Sequence, residues 1–150
     1  MSINRFDLLA IGGGPAAQKA AIQASKMGKK AAIIEKDPYL GGGCVHYGTI
    51  PSKSLQETSR FYRNLKLSKL HGMQSPQTAM LTLQELMFRA STVIEKEEDV
   101  TREQMIQNRV TTLTGWGQVV DANHVEVTDS AGRKKSRNRK HINCNREQPS

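Results

Sequence analysis

The first third of the chain combines short apolar runs with one helical pattern. Residues 5–11 form an apolar run that stops at glycine, as a buried parallel strand does. A helix face follows, and Gly28 is a natural stop for it; the alanines that share this face are Ala17, Ala20, Ala21 and Ala24. Residues 30–35 form a second apolar run that ends on an acid. This pattern predicts a β-α-β unit with two parallel strands.

The middle of the chain follows a helical period. Apolar residues recur at helical spacing in residues 54–66 and again in residues 82–109. The first segment predicts a helix, and the second predicts one long helix or two, with the charged run at residues 95–99 on a solvated face. Residues 67–80 contain glycine, serine and proline and predict an irregular connection.

In the last third the period changes to two. Short strands are predicted at residues 110–114, 118–120 and 124–127, separated by Gly115-Trp116-Gly117 and by a turn at residues 121–123. The whole pattern predicts an α/β fold. It is a Rossmann-like domain with a β-α-β start, long helices and an antiparallel β-meander.

A dinucleotide-binding fingerprint connects the first strand to the first helix. Gly12, Gly14 and Ala17 stand in a G-x-G-x-x-A pattern, which supplies a tight turn, close approach of a pyrophosphate and close helix–strand packing. Pro15 suits the first helical turn, where its missing N–H removes no hydrogen bond. Glu35 follows Gly14 by 21 residues, where the fingerprint places a carboxylate for a ribose hydroxyl. This context predicts a dinucleotide site; the alternative is a structural turn that binds nothing.

Residues 41–53 form a second glycine-rich segment, GGGCVHYGTIPSK, which predicts a loop that runs into a helix. Consecutive glycines let a flat ligand approach the main chain. A helix that begins near Ser52 and Lys53 would present free N–H groups and a positive dipole end to an anion. The segment therefore predicts a place for a large anionic cofactor beside the thiol of Cys44.

This segment resembles the isoalloxazine-side segment of the flavoprotein disulfide reductase superfamily, which includes dihydrolipoyl dehydrogenase, glutathione reductase and mercuric reductase. Those enzymes carry a second cysteine five positions after the first, where this chain has Thr49. The pattern G-G-G-C-x-H-x-G-T-I-P-S-K is most similar to the soluble pyridine nucleotide transhydrogenases. That branch keeps the fold and the FAD and lacks the redox disulfide. The resemblance covers residues 5–132.

The resemblance implies FAD as the cofactor and NAD and NADP as the substrates. The implied reaction transfers reducing equivalents between NADPH and NAD⁺ through the flavin, which carries the electrons and needs no thiol. The resemblance also implies a positive charge from Lys53 beside the flavin and a backbone contact near Gly117 with the adenine. It assigns no catalytic residue and no metal ligand in this chain. The expected cofactor-binding residues are Gly12, Gly14, Pro15, Ala17, Glu35, Lys36, Gly42, Gly43, Cys44, Thr49, Lys53 and Gly117.

The resemblance further implies that residues 1–132 are the N-terminal part of an FAD-binding domain and that residues 133–150 are a basic, polar tail. The family's NAD(P)-binding and dimerisation domains have no counterpart in this chain. We therefore expect a fragment of a homo-oligomeric family that does not complete the reaction by itself. The alternatives are a dihydrolipoyl dehydrogenase-like reductase, against which Thr49 argues, and a truncated, non-enzymatic remnant.

Charge and composition argue against other classes of protein. The net charge is +8, but residues 130–150 contribute +6 of it, so the basicity belongs to the tail. No aromatic residues interleave with the basic run, which argues against nucleic-acid binding. No apolar run approaches the ~20 residues that span a bilayer. The N-terminus lacks a signal-peptide pattern, and two distant cysteines fit a reducing cytoplasm.

Two residues and one possible metal site have competing interpretations. Because Thr49 replaces the second cysteine of the redox pair, we expect Cys44 to be a packing or cofactor-lining residue. We expect Trp116 to be a core residue rather than a stacking platform. A zinc site built from Cys44 and His46 with His141 and Cys144 is disfavoured, because the two pairs lack the spacing of a closed site.

The tail suggests a shift of reading frame. After the meander, members of the family return to the parallel sheet with a strand that ends in Ala-Thr-Gly-Ser, which this chain lacks. Permitted codons for residues 143–149, AAT TGC AAC AGG GAG CAG CCC, read Ile-Ala-Thr-Gly-Ser-Ser when the first base is dropped. We hypothesise that the chain leaves its ancestral frame at or just before Asn143. Nucleotide sequencing should find the motif in a shifted frame; a stop codon after Ser150, with the motif in no frame, would refute this.

Overall fold

The computed structural model describes residues 4–67, 82–130, 134–138 and 141–143, and the chain forms two compact units. Unit 1 contains Met1–Gly43 and Glu98–Ser150, and unit 2 contains Cys44–Glu97. The β-strands and the fingerprint belong to unit 1, whereas the described part of unit 2 is mainly helical.

A four-stranded parallel sheet forms the centre of unit 1. Its spatial order is β4-β3-β2-β8, with β2 at Leu8–Ile11, β3 at Ala31–Glu35, β4 at Thr111–Thr114 and β8 at His141–Asn143. All five residues of β3 are buried, as expected of a parallel strand covered on both faces. From β2 the chain adds strands first on one side and then on the other. Ligands of such doubly wound sheets bind at the carboxyl ends of the strands beside this switch point.

Helix α1 (Pro15–Lys26) connects β2 to β3 and packs on one face of the parallel sheet. It begins with proline, whose fixed φ suits the first turn. Ala17 and Ala21 are fully buried, so small side chains let the helix lie close to the strands. Met105, near the end of helix α4 (Leu83–Gln107), joins the same core.

A second sheet packs on the other face of the parallel sheet. Its spatial order is β1-β7-β6-β5, with β1 at Asn4–Arg5, β5 at Trp116–Val119, β6 at His124–Thr128 and β7 at Lys134–Asn138. β5, β6 and β7 form an antiparallel meander, and β1 pairs with β7 in parallel. Val125 and Val127, at alternate positions of β6, are buried with Leu9 and Ile34 between the two sheets.

Hydrogen bonds of one carboxylate close the turn between β5 and β6. Oδ1 of Asp121 accepts a hydrogen bond from the N–H of Asn123 at 2.7 Å, and its Oδ2 lies 2.7 Å from Nδ1 of His124. The bond from Asn123 is the main reason why the pKa of Asp121 lies below its usual range, and the bond to His124 adds to this. The stabilisation of the turn is therefore present above the ordinary aspartate pKa. It is lost as the pH falls through the lowered value.

The described part of unit 2 is built from helices. Helix α2 (Gly42–His46) starts in unit 1 and is one turn long, α3 spans Thr49–Leu67, and α4 contributes its first part. A capping box starts α4: Oγ1 of Thr82 donates to Oε2 of Glu85 at 2.8 Å, and the N–H of Glu85 donates to Oγ1 of Thr82 at 3.3 Å. The N–H of Thr82 and then its hydroxyl lower the pKa of Glu85 by stabilising its carboxylate.

The β-α-β unit, the helical middle and the meander predicted from the sequence are confirmed, with shifted boundaries. The helix predicted from residue 54 begins at Thr49, because Pro51 falls in the first turn, where N–H groups have no helical partner. The segment predicted as one helix or two is the single helix α4, which includes the charged run. The connection predicted at residues 67–80 lies outside the described residues, except that Leu67 ends α3.

Two expectations from the sequence are wrong, one about the end of the chain and one about Trp116. We expected no return to the parallel sheet after the meander, but β8 pairs with β2, and Ile142 is in register with Ala10. Three residues are too few for a side-chain period to appear, whereas backbone pairing requires no such period. The supposed core residue Trp116 is 54% exposed and belongs to β5, so only Gly115 separates β4 from β5. The domain boundary at residue 132 and the frame shift near Asn143 stay predictions.

Candidate functional site

The fingerprint loop lies at the carboxyl end of the parallel sheet, directly after β2. Gly12 has φ +99°, a value that favours glycine, and its N–H donates to the carbonyl of Ile34 at 2.8 Å. Gly14 caps α1 with an extended backbone, and no side chain caps this helix. The first N–H groups of α1 therefore present a positive dipole end that suits an anion. Pro15 is exposed at the start of the helix, and Ala17 is buried against the strands, as the fingerprint predicts.

The glycines near this helix end differ in what surrounds them. A Cβ on Gly14 or on Gly43 would meet no atom of the described residues within 4 Å. A Cβ on Gly42, which has φ +60°, would lie only 2.9 Å from the Cα of Gly14. Gly42 therefore permits the close approach of two backbones, whereas Gly14 and Gly43 border space that no described residue fills. Open space beside an uncapped helix N-terminus is the geometry that a phosphate group fills.

Glu35 ends β3 and is only 8% exposed. Its carboxylate accepts three backbone hydrogen bonds; the donors are the N–H groups of Gly13 at 2.6 Å, Lys36 at 2.8 Å and Asp37 at 3.3 Å. An ionised carboxylate has about four acceptor sites. One site on Oε2 is therefore left unused by the described residues, and a ligand hydroxyl could occupy it. The same side chain also shapes the fingerprint loop, a role that the sequence analysis missed.

Strand β5 crosses the end of β3 next to Glu35. The N–H of Gly115 donates to the carbonyl of Glu35 at 2.8 Å. A Cβ on Gly117 would meet two isoleucine side chains of the parallel sheet at 3.0 and 3.3 Å, so this glycine lets β5 pack closely. Nζ of Lys36 lies 5.7 Å from the centre of the Trp116 ring. A half-exposed aromatic ring and an ammonium group therefore lie beside the predicted ribose-binding carboxylate.

The remaining predicted site residues belong to unit 2. Cys44 is a free and exposed thiol in α2, so it is not a packing residue. Thr49 and Lys53 are the first and fifth residues of α3, one turn apart on the same helix face, and both are exposed. The helix start expected near Ser52 thus lies at Thr49. The cofactor contacts of these residues stay predictions.

Gln18 is a functional candidate that the sequence analysis did not name. The residue is 8% exposed, and its Nε2 donates to the carbonyl of Gly13 at 2.8 Å. The available signal was an amide side chain directly after Ala17, the last fingerprint position. A helical period alone does not distinguish this amide from a surface residue.

Two negative findings concern the described residues only. Within them, no three side chains of His, Cys, Asp or Glu cluster as a metal site requires. None of the helices that these residues form combines the length and apolar character needed to cross a membrane.

Comparison with known proteins places this chain in a family. The profile described as "Pyridine nucleotide-disulphide oxidoreductase" matches residues 6–143. This chain belongs to the pyridine nucleotide-disulphide oxidoreductase family. Its match includes the fingerprint, the second glycine-rich segment, the meander and β8, and this confirms the resemblance and the Rossmann-like fold class predicted from the sequence.

Two relatives in this family are named "Soluble pyridine nucleotide transhydrogenase". The protein from Mycobacterium tuberculosis (strain ATCC 25177 / H37Ra) is 40% identical over 134 residues, which is 89% of this chain and 29% of that protein. The protein from Colwellia psychrerythraea is 35% identical over 127 residues, which is 85% of this chain and 27% of that protein. The chain thus spans less than a third of the length of these relatives.

A solved structure supports the fold. It is the "Cu(II) complex of HOCl-induced flavoprotein disulfide reductase RclA from Escherichia coli", with a TM-score of 0.71 and 18% sequence identity. The match covers 94% of this chain and 28% of that chain. The likeness therefore extends over nearly all of this chain and concerns its fold.

Proposed function

We propose that this chain is the first part of an FAD-dependent oxidoreductase that moves reducing equivalents between NADPH and NAD⁺ through the flavin. The family profile supports an oxidoreductase of this kind. The names of the relatives, together with Thr49 in place of a second cysteine, favour a transhydrogenase over a dihydrolipoyl dehydrogenase-like reductase. The observation that carries the cofactor assignment is the start of α1. There, uncapped N–H groups face open space where a Cβ of Gly14 would stand.

The residues of unit 1 fit the adenosine diphosphate half of FAD. The N–H groups at the start of α1 would bind the pyrophosphate, and Gly14 and Gly43 leave room for it. The remaining acceptor site of Glu35 would accept a hydrogen bond from a ribose hydroxyl. Lys36 and Trp116 would flank the adenine, which we also expect to contact the backbone of β5. When bound, FAD supplies the ring that accepts and donates reducing equivalents.

The flavin half of the site is a proposal about unit 2. Cys44 would line the cofactor, and the ammonium of Lys53 would favour the reduced, anionic flavin. Thr49 replaces the second cysteine, so we propose chemistry without a redox disulfide. We expect this chain alone to bind FAD weakly and not to complete the transfer. A cytoplasmic location fits relatives named "soluble", and a homo-oligomeric assembly of the full-length protein stays part of the proposal.

Fluorescence of the single tryptophan tests the adenine half of the site. Trp116 is the only tryptophan, so quenching reports on this position alone. The probe is ADP-ribose, which contains adenine and pyrophosphate but no flavin that could quench by energy transfer. We expect saturable quenching by ADP-ribose, because adenine would stack near the half-exposed ring. FAD should compete with it.

The matched control is nicotinamide mononucleotide, which lacks adenine and should leave the fluorescence unchanged. FAD retention in equilibrium dialysis without quenching by ADP-ribose would refute the adenine placement. The absence of both FAD retention and quenching would refute the cofactor proposal and favour a non-enzymatic remnant. Dithiol-dependent reduction by the full-length protein would favour the reductase alternative.

A further inference from the structure

Gln18 is a buried polar side chain with only part of its hydrogen-bonding capacity used. It is 8% exposed, and Nε2 donates to the carbonyl of Gly13 at 2.8 Å. Its amide oxygen makes no hydrogen bond within the part of the chain that the structure describes. Burying an amide oxygen without a partner is unfavourable, and a hydrocarbon side chain of this length would avoid that penalty. Packing alone therefore does not explain why an amide stands at this position.

The bond from Gln18 holds Gly13, a residue that its neighbours already enclose tightly. The N–H of Gly13 donates to Oε2 of Glu35 at 2.6 Å, and its carbonyl also accepts the N–H of Gly41 at 2.9 Å. A Cβ on Gly13 would approach a side-chain carbon of Leu40 to 2.7 Å. Gly13 is thus held at its N–H by β3 and at its carbonyl by α1 and Gly41.

The bond from Gln18 exceeds what simple satisfaction of a buried carbonyl requires. Because Gly41 already donates to the Gly13 carbonyl, loss of the Gln18 amide would not leave that oxygen without a partner. Gln18 instead fixes the orientation of the peptide group between Gly13 and Gly14, because the side chain that binds the Gly13 carbonyl starts from α1. Gly13 directly precedes Gly14, whose backbone leads into the N–H groups proposed to bind the anion.

We infer that Gln18 is a positioning residue for the dinucleotide cofactor. Its amide holds the carbonyl of Gly13 and the carboxylate of Glu35 holds the N–H of the same residue, so that Gly14 and the start of α1 are preorganised for the pyrophosphate. The inference rests on the proposed function, because the cofactor in question is FAD. The amide oxygen of Gln18, which none of the described residues binds, is available to a water or ligand donor at the same place.

Two substitutions in the complete 150-residue chain test the inference. Gln18→Met keeps the length and removes the donor; it should leave the melting temperature of the apo chain unchanged and weaken FAD binding about tenfold. Gln18→Glu loses the donor when ionised and regains an O–H donor when protonated. Burial raises the pKa of such a carboxyl, so FAD binding by this variant should recover between pH 8 and about pH 5.5.

The controls separate positioning from general effects. Wild type and Gln18→Met should show no such recovery, and both keep Glu35, the acidic group that faces Gly13 from β3. Lys19→Met, a change at the exposed neighbouring position, should bind FAD as wild type does. Amide exchange at Gly13 and Gly41 in the apo chain should become about tenfold faster in Gln18→Met, because the N–H of Gly13 and the N–H that Gly41 donates to the Gly13 carbonyl both depend on how firmly Gly13 is held.

Each outcome decides the question. FAD affinity and amide exchange in Gln18→Met equal to those of wild type would overturn the inference. Weak binding by Gln18→Glu at every pH, together with a lowered apo melting temperature, would reduce Gln18 to a structural residue. Failure of wild type to bind FAD would refute the proposed function. The amide exchange rates in the apo chain would then still establish whether the Gln18 amide holds Gly13 in place.

Discussion

Glu35→Gln should weaken FAD binding by at least about 100-fold and lower the free energy of unfolding by about 2–4 kcal/mol. The carboxylate accepts three backbone hydrogen bonds, from the fingerprint loop and from the residues that follow β3. A glutamine amide accepts through one oxygen only, and its NH₂ group would face one or more of these N–H donors. Because Glu35 is 8% exposed, water cannot readily replace the lost acceptor.

Denaturant unfolding and FAD titration measure the two effects separately. The matched control is Glu103→Gln, at an exposed position of α4 where the present acidic side chain accepts a hydrogen bond from Nε2 of Gln107 at 2.9 Å. A glutamine oxygen can still accept that bond, so stability and FAD affinity should both stay at wild-type values. Wild-type stability of Glu35→Gln would contradict the structural role of the carboxylate. Loss of stability without loss of FAD affinity would contradict its role in the site.

Gly14→Ala should weaken FAD binding by about 10- to 100-fold and leave the apo stability nearly unchanged. The added Cβ meets no atom of the described residues within 4 Å, and the backbone of Gly14, with φ −73°, is accessible to alanine. Alanine is a poorer N-cap than glycine, but the lower entropy of the unfolded chain offsets part of this loss. The methyl group would instead occupy the space proposed for the pyrophosphate. Filling that space raises the free energy of the FAD complex and leaves the free energy of the apo chain nearly unchanged.

The adjacent position provides the contrasting variant. Gly13→Ala places its Cβ 2.7 Å from a side-chain carbon of Leu40 and 3.0 Å from Oε2 of Glu35, so it should destabilise the apo chain. Thermal unfolding with and without FAD compares the two variants. If Gly14→Ala binds FAD as tightly as wild type, the pyrophosphate does not lie beside Gly14. If it lowers the apo melting temperature as much as Gly13→Ala does, the space beside Gly14 is not open.

The local pattern of the sequence was sufficient for the β-α-β unit and the fingerprint. The apolar run before Gly12, the alanine face of α1 and the acid at the end of β3 are determined by residues close together in the chain. Helix and strand periods and the glycine turn act over a few residues, so they can be read without knowledge of the fold. The family resemblance followed from the same local motifs and is confirmed. The individual cofactor contacts stay predictions.

The start of α3 shows how far local reasoning extends. Periodicity identified the helix, but the glycine-rich segment suggested a loop through Ser52, whereas α2 and α3 occupy most of it. Pro51 looks like a boundary in the sequence and falls within the first turn of the helix. Helix ends depend on which N–H groups lack partners, and local sequence pattern determines them poorly.

The sequence by itself therefore determined the family, the fingerprint and the two candidate ligand-binding segments. Tertiary structure alone decided that β8 pairs with β2, that Gly117 packs on two isoleucines, and that Trp116 is half exposed beside Lys36. It also decided that the carboxylate of Glu35 and the amide of Gln18 hold the same residue, Gly13, at its N–H and at its carbonyl. The physical reason is that strand pairing, close backbone approach and buried hydrogen bonds join residues far apart in the chain. A local hydrophobic period contains no information about which distant partner a backbone or polar group will find.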